Sequence, residues 1–506
     1  MNGSIRNKRR LFVAEQLLIG ILHLDVRHSA PRENRASLLA HAKEAAATGA
    51  KIIIAPELAL SGYSFEGMHE IAPYAEELTG ETVTALSRLA RHYKVYVGTG
   101  IAEYDGKTGI FYNSFVMLGP QGELAAHHRK HVAERRWSCP GQPSAASLFD
   151  TTWGKVGLLI CADTYYGLLP RSHALNGAGL LIVSANWPPS GLDPREVWRA
   201  RALENGIGLI AANRTGLDRQ MDCRSAPSYA ITPDGRVLLD ETSANACVFY
   251  IEYPLEDHRF PSDFFDKIAA TRRPRDYNAI ALDASGLDDY PALWGVPASG
   301  TMNIQCLIPV GASSFKEAVM DRMQAMRGEK GLLVLPPAGE CLPLEDIAIY
   351  SGKTDVAVIT EEVSSSTGIS VPVFIAGGRI TRMAAENDFL MADFACARVA
   401  LARRSALLHP ETAVALSKQG CDIIVSQVDD LDRDSRLLLG IKCLERAVVV
   451  VAGRNGATIC DPPAGHERWR ETMLQEPGIC AASVDTARTR KKRFLDRVDL
   501  EVLLRR

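Results

Sequence analysis

The second half of this chain repeats the first, and that repeat constrains the fold more than any other feature of the sequence. "NGAGLLIVSANW" (Asn176–Trp187), followed by "WRARALENGIGLIAANRTG" (Trp198–Gly216), has a counterpart in "KQGCDIIVSQVD" (Lys418–Asp429), followed by "LGIKCLERAVVVVAGRNG" (Leu439–Gly456). Val183-Ser184 aligns with Val425-Ser426 and Leu203-Glu204 with Leu444-Glu445, the spacing between the two matches differing by one residue. Upstream, "GAKIIIAPE" (Gly49–Glu57) aligns with "EKGLLVLPP" (Glu329–Pro337), and the "LLP" ending at Pro170 with the "LLHP" ending at Pro410. At 506 residues the chain is too long for one ordinary core, so one domain has been duplicated. The first copy is expected over residues 18–282 and the second over 301–506. Between them, residues 283–300, "DASGLDDYPALWGVPASG", carry the Gly, Pro, Asp and Ser of a linker.

Within each copy, short apolar runs such as "LIGILHLDV", "KIIIAPE", "KVYVGTGIA", "KVGLLIC", "GLLIVSAN" and "GIGLIAANR" suggest strands buried on both faces. Helix-length amphipathic stretches, for example "NRASLLAHAKEAAATGA" and "GETVTALSRLARHYK", separate several of them. The class is α/β.

A net charge of −3 gives no electrostatic reason to expect nucleic acid or an anionic membrane as partner. The basic clusters "RNKRR" and "TRKKR" read as solvated faces. Eleven cysteines without a C-x-x-C pair argue against a disulfide framework and a zinc site, and for a reducing, cytoplasmic location. The first residues resemble a signal peptide, but Glu15 and Gln16 interrupt the apolar part, and no uninterrupted apolar segment reaches the ~18 residues of a membrane span.

Three features of the first copy bear on chemistry. "IIIAPELALSGY" sets Glu57 beyond a strand ended by Pro56, "AAHHRKHVAERRW" supplies Lys130 and, four residues on, Glu134, and "GLLICAD" puts Cys161 at another strand end. Taken singly, Glu57 suits a helix first turn, Lys130 a solvated surface, Glu134 an i,i+4 pair and Cys161 a packed small hydrophobe. Taken together they form a chemical unit. A cysteine attacks an amide-like carbon as thiolate, and so needs a base and a cation nearby. Glu57 and Lys130 are those groups. Lys130 and the backbone N–H of Ala162 are placed to stabilise an oxyanion, and Glu57 to return its proton to departing ammonia.

The ordered set "PEL", "RKHV…E" and "ICAD" resembles the nitrilase superfamily of carbon–nitrogen hydrolases, as do "SANWP" (Ser184–Pro188) and "RALENGIGLIAANRTG" (Arg201–Gly216). The resemblance covers about residues 18–282. It implies catalysis by Glu57, Lys130, Cys161 and the second glutamate, Glu134, in a four-layer α-β-β-α sandwich that pairs with a second copy. It implies no metal or organic cofactor. Where nitrilases proper typically follow the cysteine with Trp-Glu, this chain has Ala162-Asp163, which favours a small carboxamide or carbamoyl substrate. Tyr63, Tyr165, Asn186 and Trp187 are candidate substrate contacts, with Arg135, Arg136 and Arg171 as loop-borne candidates for a substrate carboxylate. The alternatives are a nitrilase converting a nitrile to an acid, and a catalytically silent binding or scaffold protein.

In the second copy the same alignment sets Pro337 opposite Glu57, Leu401 opposite Cys161, and a position near Glu386 opposite Lys130. None of these can carry the chemistry. The expected architecture is two α-β-β-α sandwich domains in tandem, an active copy and a degenerate one packed as an intramolecular pseudo-dimer, with further homo-oligomerisation left open.

Overall fold

Every apolar run named above becomes a strand in the computed structural model, which describes residues 15–283, 290–309, 315–337, 342–363, 370–465, 467–492, 494–495 and 497–505. The "RNKRR" cluster and part of the expected linker lie outside these residues. The first half contributes β1 (Gln16–His23), β2 (Ile52–Ile54), β3 (Tyr96–Asp105), β4 (Ile110–Leu118), β5 (Leu124–Arg129) and β6 (Leu148–Thr151). It continues with β7 (Gly154–Ile160), β8 (Ala178–Ser184), β9 (Gly208–Ala212), β10 (Ser228–Ile231), β11 (Val237–Glu241) and β12 (Cys247–Pro254). These form two six-stranded sheets, ordered β12-β1-β2-β3-β4-β5 and β11-β10-β9-β8-β7-β6. In each, three central strands run parallel (β1-β2-β3 and β7-β8-β9) and the outer ones antiparallel. Glu57 and Cys161 follow the carboxyl ends of two of the parallel strands, where open α/β sheets place their sites.

The first half's helices are α1 (Pro31–Thr48), α2 (Met68–Ile71), α3 (Glu81–Tyr93), α4 (Leu168–Leu175) and α5 (Pro194–Asn205). α1 starts on a proline and stops at Gly49, whose φ of 106° only glycine adopts at little cost. Leu38, Ala42 and Ala45 of α1 and Leu86 and Ala90 of α3 pack on Ile53, Val97 and Val116 of the first sheet. α5 is capped by Asp193, which accepts the Arg195 N–H, and has Pro194 at its first position.

The second half repeats this order with β13 (Thr301–Ile308), β14 (Gly331–Val334), β15 (Val356–Val363), β16 (Ser370–Ala376), β17 (Arg379–Arg382) and β18 (Phe389–Phe394). Then come β19 (Ala397–Ala402), β20 (Ile423–Gln427), β21 (Val448–Gly453), β22 (Gly456–Asp461), β23 (Arg470–Leu474) and β24 (Gly478–Asp485). The sheets are β24-β13-β14-β15-β16-β17 and β18-β19-β20-β21-β22-β23. Its helices are α6 (Phe315–Ala325), α7 (Leu344–Ser351), α8 (Arg404–Leu407), α9 (Pro410–Lys418), α10 (Arg433–Gly440), α11 (Thr486–Arg490) and α12 (Leu500–Leu503). Ile304, Val334 and Ile359 of one sheet pack with Val399, Val425 and Val450 of the other. Both halves are α-β-β-α sandwiches.

Strand pairing fixes which residues of the two halves correspond. Ile54 pairs with Gly98 and Val334 with Ile359, so Glu57 does correspond to Pro337. Leu159 pairs with Val183 and Leu401 with Val425, which makes Leu401 the counterpart of Leu159. Arg403, not Leu401, therefore occupies the place of Cys161. The Lys130 amide donates to the Asn113 carbonyl (2.8 Å). Carried on through β3-β4-β5 and β15-β16-β17, the same register sets Ser370, which pairs with Val363, in the place of Asn113, which pairs with Ala102, and brings Ala385, beside Glu386, to the place of Lys130.

The chain divides into two compact units. One holds the residues up to Cys161 with Gly177–Pro188 and Ile207–Ser262, and the other holds Ala162–Asn176, Pro189–Gly206 and everything from Asp263 onward. Helices α4 and α5 thus pack within the unit that contains the second half. There Leu168 joins Val414 and Ala415, Arg199 pairs with Asp434 at 2.9 Å, and Lys442 donates to Glu204, which also holds Arg201 at 2.6 Å. The charge of Arg201 in turn faces the buried Glu445. Arg201 and Glu204 are spaced like Lys442 and Glu445, so each element's cation meets the other's carboxylate, the pattern of an isologous contact.

Two expectations change here. In the "TRKKR" cluster Lys491 is exposed and Arg493 lies outside the described residues, but Arg490 and Lys492 are not on a solvated face: Arg490 forks onto Asp422 (2.7 and 2.8 Å) and Lys492 donates to the carbonyls of Cys421 and Arg446. Arg171 is not loop-borne. It lies in α4, fully buried, donating to the Glu204 carbonyl (2.8 Å) with Glu411 3.7 Å away, and it has no surface to offer a substrate carboxylate.

Candidate active site

The segment after β2 leaves its sheet at Pro56 and presses Glu57 against β3. The Ala59 amide donates to the Gly100 carbonyl and the Gly100 amide to the Pro56 carbonyl. This approach requires glycine at position 100, since a Cβ there would lie 2.6 Å from both the Glu57 Cα and the Leu58 nitrogen. From the second sheet, the "SAN" that ends β8 docks onto the same segment. Ser184 Oγ donates to the Ala55 carbonyl (3.0 Å), and the Glu57 amide donates to the Ala185 carbonyl (3.3 Å).

Cys161 follows β7 with φ at 45°, a left-handed conformation that costs a residue with a Cβ about 1–3 kcal/mol. A short 3₁₀ turn over Cys161–Tyr165 begins at this point, so the side chain leaves the strand at a sharp corner. Its Sγ is 3.9 Å from the Asn186 carbonyl, and the residue is only 7% exposed.

Lys130 emerges from the end of β5 and is 1% exposed. Its ammonium donates to Glu57 Oε1 and to Glu134 Oε1, each at 2.7 Å. Asn113, fully buried on β4, donates through Nδ2 to Glu57 Oε1 (2.7 Å) and to Glu134 Oε2 (3.1 Å). The Tyr63 hydroxyl donates to Glu134, and the Tyr63 ring centre lies 5.6 Å from the Lys130 ammonium. Glu57 Oε2 is buried and has no hydrogen-bond partner.

Electrostatics separate the two carboxylates. Burial raises the Glu57 carboxyl above its ordinary range; Lys130 opposes the rise and Glu134 adds to it. Burial acts on Glu134 in the same direction, but there the Lys130 charge and the hydrogen bonds from Lys130, Tyr63 and Asn113 prevail and hold it low. Burial disfavours the Lys130 ammonium, yet Glu134 and Glu57 outweigh it and keep the group charged far above its usual range. Burial pushes the Cys161 thiol well up, with Glu57 adding and Lys130 opposing. The site at rest holds a neutral thiol, a fixed cation, one firmly ionised carboxylate and one carboxylate of raised basicity.

Of the residues read from sequence, the structure brings Glu57, Lys130, Glu134, Tyr63 and Cys161 into one electrostatic cluster. Asn186 joins through its carbonyl, while its Oδ1 accepts from Arg214 Nε (2.7 Å). The Trp187 amide donates to Asn213 Oδ1 (3.1 Å). Arg135 and Arg136 are exposed on the turn after Glu134. Tyr165 belongs to the other compact unit, where its hydroxyl donates to the Gly465 carbonyl (3.0 Å). Sequence reasoning missed Asn113, Arg214 and Asp218. Arg214 anchors Asn186 and the Val26 carbonyl, and Asp218 accepts the Tyr63 and Ser64 amides. The signal was a polar Asn inside the apolar strand "FYNSFVML".

A family model described as carbon-nitrogen hydrolase matches residues 18–259. The chain is 36% identical over 207 residues to a Schizosaccharomyces pombe protein named "Probable nitrilase", the match covering 40% of this chain and 75% of that one. It is 35% identical to a Pyrococcus abyssi protein named "Nitrilase", covering 35% of this chain and 67% of the other. It is 33% identical to an "(R)-stereoselective amidase" of a Pseudomonas species, covering 45% and 77%.

Proposed function

Because the chain belongs to the carbon–nitrogen hydrolase family, whose chemistry runs through a cysteine thioester, we propose that its first copy hydrolyses a small carboxamide or carbamoyl compound at Cys161. One observation carries this reading: the Lys130 ammonium is held at 2.7 Å by two carboxylates, while the other oxygen of Glu57 is left without a partner, and the charges of all three groups act on a thiol at a backbone corner.

Glu57 takes the thiol proton as Sγ attacks the carbonyl carbon. The new oxyanion receives hydrogen bonds from the Lys130 ammonium and the Ala162 N–H, the next amide in the chain. Glu57 returns the proton to nitrogen, ammonia leaves, and a thioester remains. Water, deprotonated by Glu57, then attacks the thioester; the intermediate expels the thiolate, and Glu57 gives the proton back to sulfur. Glu134, held ionised by Lys130, keeps that ammonium oriented throughout. Tyr63, Asn186 and Trp187 are the proposed walls of the substrate site.

The second copy is proposed to be non-catalytic, since Pro337 and Arg403 stand where the base and the nucleophile would be, and Ala385, beside Glu386, where the cation would be.

Hydrolysis of a nitrile is the second reading. It draws support from the names of the S. pombe and P. abyssi relatives, whereas the amide reading draws it from the Pseudomonas amidase and from Ala162-Asp163 after the nucleophile. Ammonia release from a dicarboxylate monoamide, a neutral short amide, an N-carbamoyl amine and the matching nitrile separates them. Fastest turnover of an amide or carbamoyl compound is expected; a faster nitrile would promote the second reading.

A further inference from the structure

We infer that Asn113 is a positioning residue that sets the proton affinity of the general base, an inference that rests on the catalytic reading above. Three contacts argue for it. Its Nδ2 donates to Glu57 at 2.7 Å and to Glu134 at 3.1 Å, and its carbonyl accepts the Lys130 amide at 2.8 Å. One fully buried residue thus touches the base, the second glutamate and the backbone of the cation. Asn113 adds two hydrogen bonds to carboxylate oxygens without adding charge. A second cation there would drive Glu57 down to the ordinary carboxylate range or below, and an apolar residue would leave its Oε1 with Lys130 as sole donor.

Among the described residues, the groups that face Glu57 are Lys130, Glu134, Asn113, Tyr63, Cys161 and Cys223. Lys130 and Asn113 donate hydrogen bonds to it, and both donations favour the ionised form. Removing the Asn113 donor raises the Glu57 carboxyl further, so the pH at which the base becomes competent moves up.

The test uses the full chain and iodoacetamide as thiol probe, with the Cys161 alkylation rate followed by peptide mass against pH. Asn113→Ala is expected to shift the ascending limb upward by about one pH unit. Asn113→Asp, isosteric and acidic, is expected to shift it at least as far, and it carries the test if the alanine variant does not fold. Both are expected to lower amide turnover about tenfold or more at neutral pH while leaving the thermal midpoint near that of the parent. An unshifted limb in a folded variant would overturn the inference while leaving the catalytic reading intact. If Cys161 of the parent chain reacts no faster than the other ten cysteines, the catalytic reading fails first, and this one with it.

Discussion

The amide of Glu57 donates to the carbonyl of Ala185 across 3.3 Å, from the end of one sheet to the end of the other. With the bond from Ser184 Oγ to the Ala55 carbonyl, it ties the segment that carries Glu57 to β8, the strand beside the one that leads into Cys161. Side chains from both sheets are thereby held at fixed offsets by contacts that each involve the main chain. The "SAN" of the sequence thus serves as a clasp between sheets.

Cys161→Ala should abolish turnover, a loss of at least about 10³-fold, because the covalent route is removed. Its thermal midpoint should stay within a few degrees of the parent. Ammonia release and a melting curve on the same sample check both; retention of a sizeable fraction of activity contradicts the mechanism.

Lys130→Ala should lower kcat by about 10²–10³-fold or more, the usual worth of an oxyanion donor. It should also cost about 3–5 kcal/mol of stability, since two buried carboxylates lose their cation. Lys130→Arg should not restore activity, because the guanidinium is larger and its donors are fixed in a fork. Denaturant titration and turnover, read together, test all three statements.

Gly100→Ala should be both less stable and nearly inactive, since the added methyl meets the backbone of Glu57 and Leu58 at 2.6 Å and backbone cannot swing aside. A variant with parental melting and turnover would show that the segment holding Glu57 yields without cost.

Burial opposes ionisation of Glu204, but Arg201 and Lys442 prevail and hold its carboxyl at about 2. Its folded value lies below the ordinary 4.5, so the stabilisation is complete above that value and fades as pH falls from there toward 2. Glu204→Gln should therefore be strongly destabilised at neutral pH, with the gap to the parent narrowing below pH 4. Denaturant midpoints across pH measure it, and a pH-independent gap would contradict the assignment.

A fragment ending at Gly295 keeps α4 and α5 but loses α9, α10 and Lys442, against which they pack. It should self-associate or precipitate, because Leu168 becomes part of an exposed apolar patch and Glu204 loses a partner. Gel filtration reads this directly. A monomeric, fully active fragment would contradict it.

The duplication and the cluster of Glu57, Lys130, Glu134 and Cys161 were legible because they depend on contiguous segments. The run from Ile54 to Glu57 has the same length as that from Val334 to Pro337, so Glu57 and Pro337 matched without a structure. Arg403 was misjudged because similarity fades at that position and strand pairing, a long-range property, decides the match. Arg171 looked loop-borne because no local pattern announces that a short helix is buried on every side by partners far away in sequence. Asn113 announced itself only as a polar residue in an apolar strand, and its partners lie 56 residues before it and 21 after.

The pairing of Lys442 with Glu204 joins two segments of one polypeptide. Formed between separate subunits, such a contact would weaken on dilution and vary with expression level. Here its two members are synthesised in a fixed ratio and cannot diffuse apart, so the fraction formed is the same at any protein concentration. The same covalent bond also frees the two positions to diverge. Of the equivalent positions, 201 carries arginine and 442 lysine, an asymmetry that a self-pairing homodimer, with every substitution appearing on both sides at once, has no means to evolve.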